Sequence, residues 1–459
     1  MKVSNQMKFI ELRKKYPFFS YEDFNLQITD KELVITYIFN ISDKFLFQPK
    51  IRIPFHDIFK KELLSEIKMK SIVFQIGMVE LISYWKTTCS ERVIIKPYLL
   101  HKNQIVFWKK LYYNGLGEFF YLNSINTDMT SFMAIECQST QVLKKEKYEL
   151  LNSNIIPVGG GKDSVVTMEL LNKGFSDNLC LIVNPRKASL DTANNAEYKE
   201  NEIVKVYRTL DTKLLALNEQ GFLNGHTPFS ALLAFISVLI AAMAGRRNIA
   251  LSNESSANEV TVEGSDVNHQ YSKSYEFERN FRAYIKEFVA DDFNYFSFLR
   301  PLSELQIAKL FSVFKHQYAD FKSCNVGSKT DVWCCKCPKC LFTFIVLSAF
   351  IPINDLIGIF GKNLFEDNEL QFYFDQLIGK ESIKPFECVG TVDEVNSALC
   401  LTLNKYYSNN NVLPCLLQYY KTTSNYQQYK GVNEKVLLKQ FDNEHFLQDE
   451  FLHILKMNM

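Results

Sequence analysis

Over the first third of the chain, hydrophobic and polar positions follow two different periods. Leu33–Asn40 (LVITYIFN) and Phe45–Ile53 (FLFQPKIRI) alternate or run apolar, as strands do. Ser71–Tyr84 reads as a strand followed by a helix, and Met129–Cys137 as another strand. Gln104–Asn114 has Phe107, Trp108 and Leu111 at helical spacing on one side. Gln138–Leu150 is charged and keeps neither period, which marks a linker. Residues 1–148 are therefore expected to form an α+β domain.

The pattern then changes to short apolar runs separated by helical stretches. Ile155–Val158, Asn178–Asn184, Glu202–Tyr207 and Asn248–Leu251 read as strands, with helical segments at Val165–Leu171 and Thr192–Lys199. Phe229–Ala244 (FSALLAFISVLIAAMA) is the most apolar run, but its 16 residues are shorter than a usual membrane span. Thr227 and Pro228 suit its start and Gly245 its end, so it predicts a buried helix. This alternation predicts an α/β fold over 149–345, with a mainly parallel sheet covered on both faces. Ligands of such sheets sit beyond the carboxyl ends of strands. The loops after Val158, Val183 and Leu251 should then share one site. Glu276–Phe288 and the segment after Ser303, with Gln306 completing a capping box, read as helices. Residues 346–459 read as a mostly helical extension.

Composition narrows the function classes. A chain of 459 residues has room for two or three domains. The formal net charge of +1, with no basic stripe, argues against a nucleic-acid partner. The N-terminal stretch lacks the apolar core of a signal peptide. Five of the 11 cysteines crowd into the 17 residues from Cys324 to Cys340, the others being scattered. That usage suits a reduced, cytoplasmic protein with one thiolate metal site. The ligands read from spacing are Cys324, Cys334, Cys337 and Cys340, a set suited to structural Zn²⁺, with an iron–sulfur cluster, a redox pair or metal-free core cysteines as the alternatives. Cys335-x-Cys337 is an equally acceptable spacing, so the place of Cys335 stays open.

The chemistry centres on Ile155–Leu171 (IIPVGGGKDSVVTMELL): a strand, three glycines, and a helix opening with Lys162, Asp163 and Ser164. Glycines let an anion approach the backbone closely, and a helix N-terminus supplies free N–H groups. Gly159, Gly160, Gly161, Lys162 and Ser164 are thus candidate phosphate ligands. The spacing fits neither a Walker A loop nor a dinucleotide fingerprint. A polar loop, Ser252–Glu259, follows the Asn248–Leu251 strand. Its Asn253, Glu254, Asn258 and Glu259 have the oxygen chemistry that Mg²⁺ prefers.

The glycine stretch resembles the pyrophosphate loop of the ATP pyrophosphatase (PP-loop, adenine nucleotide alpha hydrolase-like) superfamily, which usually reads Ser-Gly-Gly-Lys-Asp-Ser. Here Gly159 stands in place of the first serine. The resemblance implies that ATP is cleaved to AMP and pyrophosphate and that an acceptor oxygen is adenylated. The cysteine cluster is similar to the zinc site of the superfamily's deazaguanine-forming branch, where glycine usually stands at the position of Cys335. Across its length the chain resembles the family of bacterial epimerases that convert the terminal L-glutamate of UDP-N-acetylmuramoyl-L-alanyl-L-glutamate to D-glutamate. The segments carrying this are Gly77–Glu80, Tyr84–Lys86, Asn114–Phe120, Pro157–Ser164, Ser252–Glu259, Asn268–Ser274, Arg300–Glu304, Cys337–Cys340 and Pro385–Thr391. Adenylating the glutamate carboxylate would neutralise it and let a base remove the α-proton. For adenylation Lys162 would hold phosphate, and Asp163 would handle Mg²⁺ with Asn253, Glu254 and Glu259. His269, Tyr271 and His226 are candidate proton carriers, and a histidine titrating near neutrality suits that task. Lys86, Trp85 and Glu118 of the N-terminal domain would grip the UDP-sugar. The alternative enzyme class is a 7-cyano-7-deazaguanine synthase-like or tRNA-modifying adenylating enzyme. Oligomeric state is not legible in the sequence.

Overall fold

The structure is a computed structural model that describes residues 4–60, 62, 65–262, 264–408 and 412–459. Its strands are β1 (Phe18–Ile28), β2 (Glu32–Ile41), β3 (Phe45–Phe47), β4 (Lys50–Pro54), β5 (Arg92–Ile95), β6 (Ala134–Cys137), β7 (Leu151–Pro157), β8 (Asn178–Val183), β9 (Ile203–Thr209), β10 (Arg246–Leu251) and β11 (Asn294–Ser297). All belong to one sheet in the order β11-β10-β7-β8-β9-β4-β2-β1-β5-β6, with β3 beside β2. The five strands from β11 to β9 run parallel. β4 then pairs antiparallel with β9, placing Ile51 opposite Arg208, and β2 is antiparallel to its neighbours β4, β1 and β3. The molecule is thus mixed α/β. A mainly parallel sheet was expected, but the N-terminal hairpins extend the parallel half instead of closing a sheet of their own. The edge strand β9 has unpaired backbone groups that β4 satisfies.

The parallel half is covered on both faces, as its continuous apolar strands require. On β7, β8 and β10 alternate residues enter two cores. Ile155, Leu181 and Ile249 face the helices Glu66–Glu80 and Phe229–Ala244. Ile156, Cys180 and Ala250 face the core shared by Lys162–Gly174, Glu304–Phe311 and the C-terminal helices. Phe229–Ala244 is almost wholly buried and ends at Gly245, whose φ of 63° is left-handed. Its N-cap is Pro228, so Thr227 is not the cap. Among the described residues no helix is long and apolar enough to cross a membrane. The Ser303 capping box forms as expected, with Ser303 N donating to Gln306 Oε1 at 2.8 Å.

Three local expectations change. Ser71–Tyr84 holds no strand: it lies in the helices Glu66–Glu80 and Ile82–Trp85. Ser71, Val73, Gln75 and their neighbours are all buried, so the period that separates strand from helix is absent. Phe45–Ile53 is broken at Gln48–Pro49 into β3 and β4, because proline cannot donate to a ladder. Trp85 is fully buried and its Nε1 donates to Ser90 O at 2.8 Å, which places it in the core and not on a binding surface. After β11 the described chain is helical apart from turns and one isolated bridge.

Candidate functional site

The loops after β7, β8 and β10 meet in one cleft of about 360 Å³. The cleft begins at the glycine turn. Gly160 has φ +84°, and a Cβ there would lie 2.8 Å from the backbone C of Ala188 and N of Ser189. Only glycine fits that backbone. Gly161 is the N-cap of Lys162–Gly174 and offers no side chain, so the helix's first N–H groups stay open to a ligand. Gly159 has open space around its Cβ position, so it does not share Gly160's steric requirement. Ser164 lines the cleft and donates to Gly161 O at 2.9 Å.

Charge in the cleft is asymmetric. Arg186, Lys273, Lys322 and Lys339 line it, against Asp163 and Glu254. Lys162 is buried behind the turn and ion-paired with Asp163 and Glu304. Burial raises the Glu304 carboxyl to about 8, with Asp163 and Glu254 adding to the rise against the opposing charge of Lys162. Lys162 remains charged: burial opposes its charge, but Asp163 first and Glu304 second outweigh it. The Ser252 hydroxyl lines the cleft, and its buried Oγ has no hydrogen-bond partner among the described residues. Such an atom is satisfied when a polar ligand binds.

The polar loop divides between two settings. Asn253 and Glu254 line the cleft, with Asn253 Nδ2 donating to Ser297 Oγ at 3.0 Å. Asn258 instead accepts from Tyr275 N at 2.7 Å, and Glu259 pairs with Lys384. Arg300 is fully buried beneath this loop. Its guanidinium donates to Glu254 O at 2.6 Å and meets Glu278 Oε2 at 3.1 Å.

Beside the cleft sits a second group. His269 Nδ1 lies 2.5 Å from Glu118 Oε2, and the His226 ring stacks obliquely on His269 with centroids 4.6 Å apart. His226 Nδ1 is 3.5 Å from the same carboxylate oxygen. Burial opposes the charged form of His269, but hydrogen bonds to Cys388 and Glu118 prevail and raise it to about 9. Burial and the neighbouring imidazole lower His226 to about 4. The two histidines therefore differ in charge at neutral pH. Tyr271 lies elsewhere: its ring lines clefts formed with Lys110 and Phe277, and its hydroxyl bonds Asn114 and Asn280.

Cys388 joins the two groups. It lines the cleft and accepts from Lys273 Nζ at 3.1 Å, while Lys339 holds its carbonyl. The sequence marked Pro385–Thr391 only as one of the segments that carry the family resemblance. Nothing in its local pattern distinguishes Cys388 from the other scattered cysteines. Lys273, Lys339 and Glu304 likewise lie in segments that carry the resemblance, but no role of their own was legible in the sequence, since their partners are far away in the chain.

The cysteine cluster forms a third site. Cys324, Cys334, Cys337 and Cys340 place their sulfurs within 4.8 Å of one another. Measured separations are 3.8 Å for Cys324–Cys337 and Cys334–Cys340, and 3.5 Å for Cys337–Cys340. Four thiolates about 2.3 Å from one tetrahedral Zn²⁺ would be about 3.8 Å apart. Cys335 is turned away, with Sγ 3.1 Å from Phe360 O. Its φ of +55° is left-handed, the conformation that glycine adopts without strain. Here a cysteine occupies it.

Fold and site together define a mixed α/β protein in which a cationic cleft at a glycine turn adjoins a thiol–imidazole–carboxylate cluster. Comparison with known proteins makes the class specific. The MurL N-terminal domain matches residues 11–298 and the MurL C-terminal domain residues 320–430, so the chain belongs to the MurL epimerase family. The UDP-N-acetyl-alpha-D-muramoyl-L-alanyl-L-glutamate epimerase of Xanthomonas oryzae pv. oryzae is 33% identical over 332 residues, covering 71% of this chain and 72% of its own. The enzyme of the same name from Salinispora tropica is 34% identical over 327 residues, 70% of each chain.

Proposed function

We propose that this chain is an ATP-dependent epimerase that inverts the terminal L-glutamate of UDP-N-acetylmuramoyl-L-alanyl-L-glutamate, a peptidoglycan precursor. The observation that carries the reading, beyond family membership, is that the cationic glycine-turn cleft is also walled by Cys388, whose partners include Lys273 and His269. Carboxylate activation and proton transfer can then occur in one place.

The residues present fit a nucleotide phosphate chain: an open helix N-terminus, a backbone only glycine can form, four lining cations and the unsatisfied Ser252 hydroxyl. This supports the PP-loop assignment. Gly159, Gly160, Gly161 and Ser164 would hold phosphate oxygens, with Lys273, Lys322 and Lys339 balancing their charge. Lys162 would fix Asp163 and Glu304 behind the turn. Asp163, Asn253 and Glu254 would hold Mg²⁺ through oxygen, while Asn258 and Glu259 brace the loop. ATP would supply the adenylyl group that neutralises the glutamate carboxylate and makes its carbonyl an electron sink. Glu118 orients His269 through the 2.5 Å hydrogen bond and favours its protonated form. His226, neutral at pH 7, is the free base of the pair. The four-cysteine site would hold structural Zn²⁺ and tie the turn at Cys324 to the helix Pro338–Ser348.

The test is incubation in D₂O with Mg-ATP and the UDP-muramoyl dipeptide. AMP, α-deuterium and glutamate configuration are then measured. AMP together with α-deuterated D-glutamate is expected, and Lys162→Ala should lose both. AMP without α-exchange would leave an adenylating enzyme of another kind, such as the deazaguanine-type alternative, and remove the epimerase.

A further inference from the structure

Inversion needs a group that touches the α-hydrogen, and the histidines do not themselves line the cleft. Cys388 does. Its side chain stands where Lys273 Nζ reaches its sulfur at 3.1 Å, His269 hydrogen-bonds it, and Lys339 pins its carbonyl oxygen. Lys273 is itself held in place: its carbonyl accepts from the buried Arg300, which also holds Glu254. The turn carrying Cys388 is anchored at Glu387 by Asn325, and at Thr391, whose N donates to Glu394 at 2.7 Å. Three cations from two separate segments therefore converge on one residue in the cleft wall. A cysteine kept for packing alone has no need of them.

We propose that Cys388, set in the cleft wall beside Lys273 and His269, is a proton carrier of the epimerisation. This rests on the reading of the site given above. The sulfur lone pair takes the α-hydrogen as a proton, the C–H bond breaks, and its electron pair moves onto the carbonyl oxygen of the activated carboxyl. In the reverse direction the S–H returns its proton to carbon and the thiolate is restored. No oxidant or other co-reactant enters. The electrostatics agree. Burial raises the thiol, but Lys273, His269 and Lys339 outweigh it and lower the group to about 6, while the nearby Glu387 carboxyl is itself raised by burial. A base of that strength is ionised at neutral pH and still accepts a proton. Covalent attack on the activated carboxyl is the other chemistry open to a thiolate, but the carboxyl is already activated by adenylation, whereas inversion still lacks a carrier at the α-carbon.

The experiment compares the full-length protein with Cys388→Ser and Cys388→Ala. The readouts are ATP–pyrophosphate exchange and α-deuterium incorporation, starting from the L- and the D-glutamate forms of the substrate. In both variants α-exchange from at least one epimer should fall by about 100-fold or more beyond any fall in pyrophosphate exchange, the range of a lost general base. Lys273→Gln should move the acid limb of the α-exchange pH profile upward, which a packing role for Cys388 would not do. α-Exchange from both epimers within threefold of wild type would overturn the proposal. So would loss of pyrophosphate exchange in Cys388→Ser with an unchanged melting temperature, or an acyl adduct on Cys388 in acid-quenched wild type. If the wild type itself makes AMP without α-exchange, it is the epimerase reading that fails. That outcome is read before any variant is tested.

Discussion

Gly160→Ala gives a test of the glycine turn that does not depend on knowing the ligand. The residue sits at φ +84°, where an L side chain is strained by about 1–2 kcal/mol. The new methyl would meet the Ala188–Ser189 peptide at 2.8 Å. That peptide cannot readily withdraw. Asp331 accepts from Lys187 N at 3.0 Å and from Ala188 N at 3.3 Å, and both Ala188 and Ser189 are buried. On the other side Lys322 N donates to Gly160 O at 2.8 Å, so the turn cannot retreat either. Overpacking against fixed backbone adds about 1–3 kcal/mol, for a total of about 2–5 kcal/mol. The neighbouring Gly159 is the control. Its Cβ position meets nothing within 4 Å and its φ is not left-handed, so Gly159→Ala and Gly159→Ser should stay within about 0.5 kcal/mol of wild type. Urea unfolding at fixed m-value measures the difference, and pyrophosphate release from ATP measures function. Gly160→Ala should lose both stability and turnover, whereas Gly159→Ser should keep both and supply the hydroxyl that the related loops carry. Equal midpoints for Gly160→Ala and Gly159→Ala would refute the assigned loop geometry.

Other predictions address separate parts of the molecule. Metal analysis should find one Zn²⁺ per chain, lost in Cys334→Ser and retained in Cys335→Ala, because Cys335 points at Phe360 O. His269 is raised to about 9, so its ionic stabilisation is complete below about 6.5 and disappears as pH rises through 9. The stability advantage of wild type over His269→Gln should therefore be greatest near pH 6, on the order of 3 kcal/mol at most, and gone by pH 10 in urea melts. Arg208→Ala should destabilise the chain by about 3 kcal/mol, since it leaves the buried Glu80 without the 2.8 Å ion pair that joins β9 to the helix Glu66–Glu80. Arg208→Lys should recover only part of this, because lysine cannot reproduce the two-nitrogen contact with Glu80.

The sequence determined those features whose causes are local. A strand, three glycines and an apolar-periodic helix specify the turn at 159–161 because backbone sterics and helix-end hydrogen bonding act over a few residues. The buried helix Phe229–Ala244, its Gly245 stop and the Ser303–Gln306 capping box follow for the same reason. The sharing of one cleft by the loops after Val158, Val183 and Leu251 was legible too, because parallel strands joined by helices put their carboxyl ends on one side. What the local pattern left open was pairing between distant segments. The β4–β9 ladder that merges the two halves of the sheet depends on which edge is free once each half has formed. The helical state of Ser71–Tyr84 was hidden because a segment buried on every side shows no period. Spacing left Cys335 ambiguous, and only its left-handed backbone, aiming the thiol at Phe360 O, removed it from the cluster. The same holds for the chemistry. Cys388, Lys273, Lys339, His269 and Glu118 come from four distant stretches of chain, and their charges are set by one another and by shared burial. A residue's type is written in the sequence, but its protonation state is fixed by neighbours that only the tertiary fold supplies.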